Sequence, residues 1–202
     1  MKIERRGGFP AEIRADGDAL RVRGHAAVFD QEADIGGFFR EVIRPGAFAR
    51  AIAEDDVPLL IEHEGLPLAR NRSGTLNLAE DGQGLLIESV LVAEDPDVLR
   101  IVPKMERGDL DKMSFAFQAI HQEWDESGDL PLRILHEVKL FDVSIVTMPA
   151  YDGTDIALRS LEAMRDTTRR ANEFRAASMR VRLAKTLDLK VRSAPLTREY
   201  GR

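Results

Sequence analysis

Apolar and polar positions along this chain alternate in short stretches more often than they recur at helical spacing, which predicts a body made mostly of strands. Residues 20–29, LRVRGHAAVF, read as a strand, with Gly24 placed for a bulge. Residues 30–39 contain the pair Gly36 and Gly37 and read as a loop. Pro45 and Gly46 then break the chain before a short amphipathic helix, AFARAIAEDD, in which Phe48 and Ile52 stand one turn apart. VPLLIE at residues 57–62 is a buried strand running into His63. Strands at 73–78 and 85–92, separated by AEDGQG, read as a hairpin.

A helix is predicted over residues 97–107: Asp95 caps it, Pro96 suits its first turn and Gly108 ends it, with Val98, Ile101, Val102 and Met105 as its apolar stripe. Residues 112–122 alternate as a strand, 125–128 form a polar turn, and 132–148 are a long strand region with one bend. From residue 154 the period becomes helical, with Leu158, Leu161 and Met164 on one stripe. Beyond residue 165 it is Arg-rich and loosely amphipathic (Phe174, Ala177, Val181, Ala184), with a disordered end. The fold class is thus mainly β with α (α+β). Seven or eight strands form an antiparallel barrel, closed or nearly closed, with helices outside, because closure removes exposed edges. Periodicity alone leaves an open α+β sheet as the alternative.

At 202 residues the chain fits one domain with a tail, read here as a body over 1–157 and a helical, basic segment over 158–202. From Ile156 onward twelve Lys and Arg face five acids, a net +7, while the rest of the chain holds 17 bases against 30 acids, a net −13. That excludes a uniformly basic nucleic-acid-binding domain. The basic segment offers only Phe174 and Tyr200 for stacking on bases, which argues against nucleic acid as its partner. No apolar run reaches the ~18 residues of a membrane helix, and MKIERRGGFP lacks the apolar stretch of a secretory signal. The absence of cysteine excludes disulfides and thiolate chemistry, and the four histidines are too scattered to suggest a zinc site by spacing.

Three positions could carry chemistry. His63 ends an apolar strand between Glu62 and Glu64. Ser114 lies in DKMSFAFQ, where Met113, Phe115 and Phe117 take one face and Ser114, Ala116 and Gln118 the other. Asp142 interrupts the apolar strand KLFDVSIVTMP, against strand propensity. A nucleophilic hydroxyl needs a base within reach, and the base needs a third group to orient it; residues on three strands can converge for this. Each also has an ordinary reading. Ser114 could be a surface polar residue, His63 a solvated strand end, and Asp142 the partner of a buried arginine.

Four stretches in order, EVIRPGAFARAI (41–52), VPLLIEHE (57–64), DKMSFAFQ (111–118) and EVKLFDVSIVTMPAYDG (137–153), resemble the caudovirus prohead (capsid-maturation) serine proteases, distantly similar in fold to herpesvirus assemblin. The likeness spans most of residues 20–157. It implies His63 as the activating base, Ser114 as the nucleophile and Asp142 as the third member, where the family commonly has Glu; Glu137 is the alternative. On an unbroken strand 137 and 142 face opposite ways, and Leu140, Asp142 and Ser144 share a face, which favours Asp142. Departures are Ala116 for Gly, Glu64 for Asp and Tyr151 for Asn. Backbone N–H groups after the Asp142 strand, at Ala150, Tyr151, Asp152 and Gly153, are the candidate oxyanion or substrate loop, and such a mechanism requires no metal or organic cofactor. The substrate implied by the resemblance would be the major capsid protein or a scaffold protein, cut with the enzyme itself inside the procapsid in the host cytoplasm. A homo-oligomer, and the version of such an enzyme in a gene transfer agent, are compatible with it. A non-catalytic assembly module of the same fold is the competing reading. The basic segment is expected to dock on acidic scaffold or capsid surfaces and to be cleaved off afterwards.

Overall fold

Among the described residues the alternating stretches fold into ten strands joined in one sheet. The computed structural model describes residues 3–16, 19–148 and 154–192. β1 (Glu4–Asp16) and β2 (Ala19–Val28) form one hairpin, and β3 (Ala33–Ile35) and β4 (Phe39–Ile43) a second. Helix α1 (Ala49–Glu54) leads into β5 (Pro58–Ile61) and β6 (Glu64–Arg70), and a 3-10 turn leads into β7 (Leu76–Glu80) and β8 (Gly84–Val92). Helix α2 (Pro96–Glu106) precedes the two long strands, β9 (Lys112–Asp125) and β10 (Leu132–Val146), and α3 spans Thr154–Arg192. The chain divides into two compact units, Met1–Arg159, which holds the sheet, and Ser160–Arg202. In the second unit Phe174, Met179 and Val181 of α3 are exposed. The expected disordered end of the tail lies outside the described residues.

The sheet is open, which corrects the expected closed or nearly closed barrel. Its hydrogen bonding runs β3-β4-β10-β9-β1-β2-β8-β7, and β5 and β6 branch from β10. β1 turns the corner. Glu4 to Pro10 pair with β9, and Ala11 to Asp16 pair with β2. The handover falls at Pro10, which has no N–H with which to continue a ladder. Core residues of β2 and β8 (Val22, Leu85, Ile87) therefore face those of β9 and β10 (Met113, Phe115, Val143) in one cluster. Phe48 of the α1 entry stands edge-on to Phe115 at 5.5 Å, and Phe115 contacts Phe117 at 5.0 Å. Such pairs contribute about 0.5–1.5 kcal/mol each beyond burial. Edges are protected by brevity, as in β3, or by proline, as at Pro67 of β6.

Pairing is also not wholly antiparallel. β4 and β5 lie in succession along one edge of β10, both parallel to it. The crossover through α1 carries the chain forward along β10 instead of reversing it. α2 matches its sequence signals: Asp95 accepts the Asp97 N–H at 2.8 Å, and Val98, Ile101 and Met105 are buried. β1 escaped the sequence reading because Gly7, Gly8 and Pro10 resemble turn residues. In the fold, Gly8 (φ 118°) belongs to a bulge between Gly7 and Phe9, and Gly7 allows β1 to approach Ser114.

Candidate active site

His63 is delivered by a two-residue turn. Ile61 and Glu64 pair across the β5–β6 hairpin, leaving Glu62 and His63 as its central residues. Both have positive φ (54° and 61°), the signature of a type I′ turn that Asn and Gly fill more readily. Holding L-residues there costs on the order of 1–2 kcal/mol each. The turn is clamped to β10 in compensation. The Glu62 N–H donates to the Ile145 carbonyl (3.0 Å), and the Glu62 carboxylate accepts the Thr147 N–H (2.7 Å). The imidazole is thereby aimed inward, with its side chain only 3% exposed.

Ser114 stands within the buried run of β9, opposite Ser144 on one side and Gly7 on the other. Met113, Phe115 and Phe117 belong to the core, so Ser114 and Ala116 point to the other face. Asp142 reaches that face through a bulge. Leu140 opposes Phe117 and Asp142 opposes Ala116, which leaves Phe141 as an extra residue on β10. The expectation that Leu140 shares a face with Asp142 and Ser144 is thus corrected. The bulge shifts the alternation by one, so Leu140, Val143 and Ile145 face the core while Asp142 and Ser144 face His63. Further register shifts beside Glu137 remove the unbroken strand on which the comparison of 137 with 142 was based. The Glu137 carboxylate bonds Arg50 of α1.

His63 joins the other two. Its Nε2 lies 2.8 Å from Ser114 Oγ and its Nδ1 2.6 Å from Asp142 Oδ1. Ser144 Oγ donates to the same Asp142 oxygen (2.8 Å) and lies 3.2 Å from Nδ1. The Ser114 hydroxyl also lies 2.8 Å from the Arg6 carbonyl oxygen. Counting protons gives two satisfied arrangements. With a neutral ring, Nδ1–H donates to Asp142 and Nε2 accepts the Ser114 proton. With a charged ring, Nε2–H donates to Oγ and the hydroxyl turns to Arg6. Only the neutral ring can remove a proton from Ser114.

The Arg6 carbonyl is held in place by a buried ionic cluster. The Arg6 guanidinium bonds Glu41 (2.8 Å) and Glu4 (3.1 Å), while Arg133 bonds Glu4 (2.6 Å) and Glu41 (2.9 Å). Burial alone would raise the Glu4 carboxyl. The Arg133 hydrogen bond and the Arg133 and Arg6 charges together outweigh it and hold Glu4 below its ordinary range.

His63, Ser114 and Asp142 are therefore brought together, and Glu137 is held elsewhere by Arg50. Ala150, Tyr151, Asp152 and Gly153 lie outside the described residues. Sequence reasoning gave no role to Ser144, though its place two residues beyond Asp142 signalled a shared face. It also missed the Arg6 carbonyl, since a backbone group leaves no mark in a sequence.

A hydroxyl, an imidazole and a carboxylate in one hydrogen-bonded line form the arrangement that activates a serine for acyl transfer. Residues 9–167 match the model of the caudovirus prohead serine proteases, and the chain belongs to that family. Its members are serine proteases of capsid maturation. No curated protein and no solved structure gives a match. Among the described residues, no helix is long and apolar enough to cross a membrane.

Proposed function

We propose that this chain is a serine endopeptidase that cuts the scaffold-like segment of the major capsid protein, or a separate scaffold protein, and itself, inside the procapsid. The observation that carries the reading is one imidazole bonded to Ser114 through one nitrogen and to Asp142 through the other. In the proposed reaction Ser114 Oγ attacks the scissile carbonyl carbon as Nε2 takes the hydroxyl proton. Asp142 holds Nδ1–H and stabilises the imidazolium. Collapse of the tetrahedral adduct breaks the C–N bond, and Nε2–H passes its proton to the departing amine. Water, deprotonated by the same nitrogen, then releases the acyl group and restores Ser114. Backbone N–H groups of Ala150 to Gly153 are the proposed oxyanion donors.

The test is mass spectrometry of the chain co-expressed with its capsid protein. Ser114→Ala should remain folded and yield neither capsid nor self-cleavage products; cleavage at the parent rate overturns the proposal. One observation favours a non-catalytic assembly module instead: Ser114 has no exposed surface. A serine-reactive phosphonate separates the two, since an adduct on Ser114 supports the endopeptidase and an unlabelled, assembly-competent protein supports the module.

A further inference from the structure

The bulge that turns Asp142 toward His63 falls at a gap in the sheet. On one edge of β10 the pairing with β4 ends at Leu135, and the pairing with β5 begins at Val143. Between them, the edge is served by other groups. The Val138 N–H donates to the Ala47 carbonyl (3.0 Å), and the Leu140 N–H donates to Asp55 Oδ2 (2.9 Å). Leu140 is the last residue in register before the bulge, and Asp142 the first after it. A carboxylate from the end of α1 thus replaces a neighbouring strand at the residue that begins the bulge.

Asp55 is itself fixed from both sides. Its N–H closes α1 onto the Ala51 carbonyl (2.9 Å), and its carbonyl accepts Asn71 Nδ2 (2.8 Å). Asn71 Oδ1 in turn accepts the Val57 N–H (2.8 Å). The acceptor is therefore anchored independently of β10. The Asp55 carboxylate accepts from Leu140, not from Ser114 or His63, and so reaches the site through the β10 backbone.

We propose that Asp55 is a positioning residue for Asp142: its carboxylate pins the Leu140 N–H and keeps the one-residue bulge that sets Asp142 against His63. A strand is two-fold periodic, so a β10 that loses the extra residue by slipping one place presents Asp142 to the core face and leaves Nδ1 without its acceptor. This rests on the endopeptidase reading for its kinetic consequence but not for its structural one.

The test compares Asp55→Ala with Asp55→Asn in the full chain. Asn keeps a side-chain oxygen that can accept the Leu140 N–H, whereas Ala does not. For cleavage of a peptide spanning a mapped junction, Asp55→Ala should lower kcat on the order of a hundredfold, as expected for ångström-scale misplacement of a catalytic group, with KM within about twofold. Asp55→Asn should recover most of that loss. The structural readout is the downfield proton NMR signal of His63 Nδ1–H bonded to a carboxylate, assigned by its loss in His63→Ala. It should vanish or move upfield in Asp55→Ala and return in Asp55→Asn. An unchanged signal and kcat in Asp55→Ala overturn the proposal, as does Asp55→Asn behaving like Asp55→Ala. If Ser114→Ala cleaves normally, the endopeptidase reading fails, and the NMR comparison still decides the role of Asp55.

Discussion

Gly7 provides the sharpest mechanical test of how β1 serves the site. It faces Ser114 across the β1–β9 ladder. A Cβ on Gly7 would stand 2.3 Å from the Met113 carbonyl oxygen, 2.7 Å from Ser114 Cα and 2.8 Å from Ser114 Cβ, where ordinary contact begins at 3.4 Å. The first two atoms are backbone and the third is fixed to it, so no rotamer relieves the clash. The strands must separate by roughly an ångström, at an overpacking cost of about 1–3 kcal/mol. For a chain of this size a kilocalorie lowers the melting temperature by about 2–4 °C, so Gly7→Ala should melt roughly 2–12 °C lower. The same displacement moves Ser114 Oγ, now 2.8 Å from both His63 Nε2 and the Arg6 carbonyl, and should lower kcat on the order of a hundredfold. Gly84→Ala is the control. Its Cβ would lie 1.9 Å from the Ala27 carbonyl oxygen, in the β2–β8 ladder, which contains none of His63, Ser114 and Asp142. It should melt lower while the folded fraction keeps its kcat. Gly82→Ala, with nothing within 4 Å, should behave as the parent. Circular dichroism melting, and kcat measured well below the melting range, check all three. Parental melting and turnover in Gly7→Ala, or equal loss of kcat in Gly84→Ala, would refute the reasoning.

Two further outcomes follow from the buried polar groups. Ser144→Ala removes one of two hydrogen bonds to Asp142 Oδ1. A charge-assisted bond contributes about 1.5–3 kcal/mol, so kcat/KM should fall roughly ten- to a hundredfold with the fold retained; a change within twofold makes Ser144 a bystander. Glu4 binds its proton less tightly in the folded state than its ordinary value of 4.5. Its contribution to stability is therefore present above that pH and is lost as the pH falls below it. Glu4→Gln should be less stable near neutrality, because Arg133 and Arg6 lose a buried carboxylate, by about 3–5 kcal/mol. Its melting temperature should also fall less steeply than the parent's between about pH 5 and pH 3. Parallel curves would show that this carboxylate does not drive acid unfolding.

Much of this was determined by the sequence itself, because those features are local. The cap at Asp95 and Pro96, the stripe of α2, the β7–β8 hairpin and the core face of β9 each follow from spacings within a few residues. The chemical identity of His63, Ser114 and Asp142, and the ordered stretches around them, already pointed to the prohead protease family that residues 9–167 match. Their meeting was not local. His63 is separated from Ser114 by 51 positions and from Asp142 by 79. What joins them is a turn clamped by Glu62 to Thr147 and a bulge at Phe141 whose start is held by Asp55. Two-fold alternation shows which residues share a face only while a strand is regular, and a single extra residue reverses it. That is why Asp142 was placed with Leu140 by pattern and apart from it in the fold. The open sheet was out of reach for the same reason. Closure depends on which edges find partners, and β1, which bulges at Gly7 and Gly8 and changes partner after Pro10, is built of residues that in sequence look like a place where no strand could be.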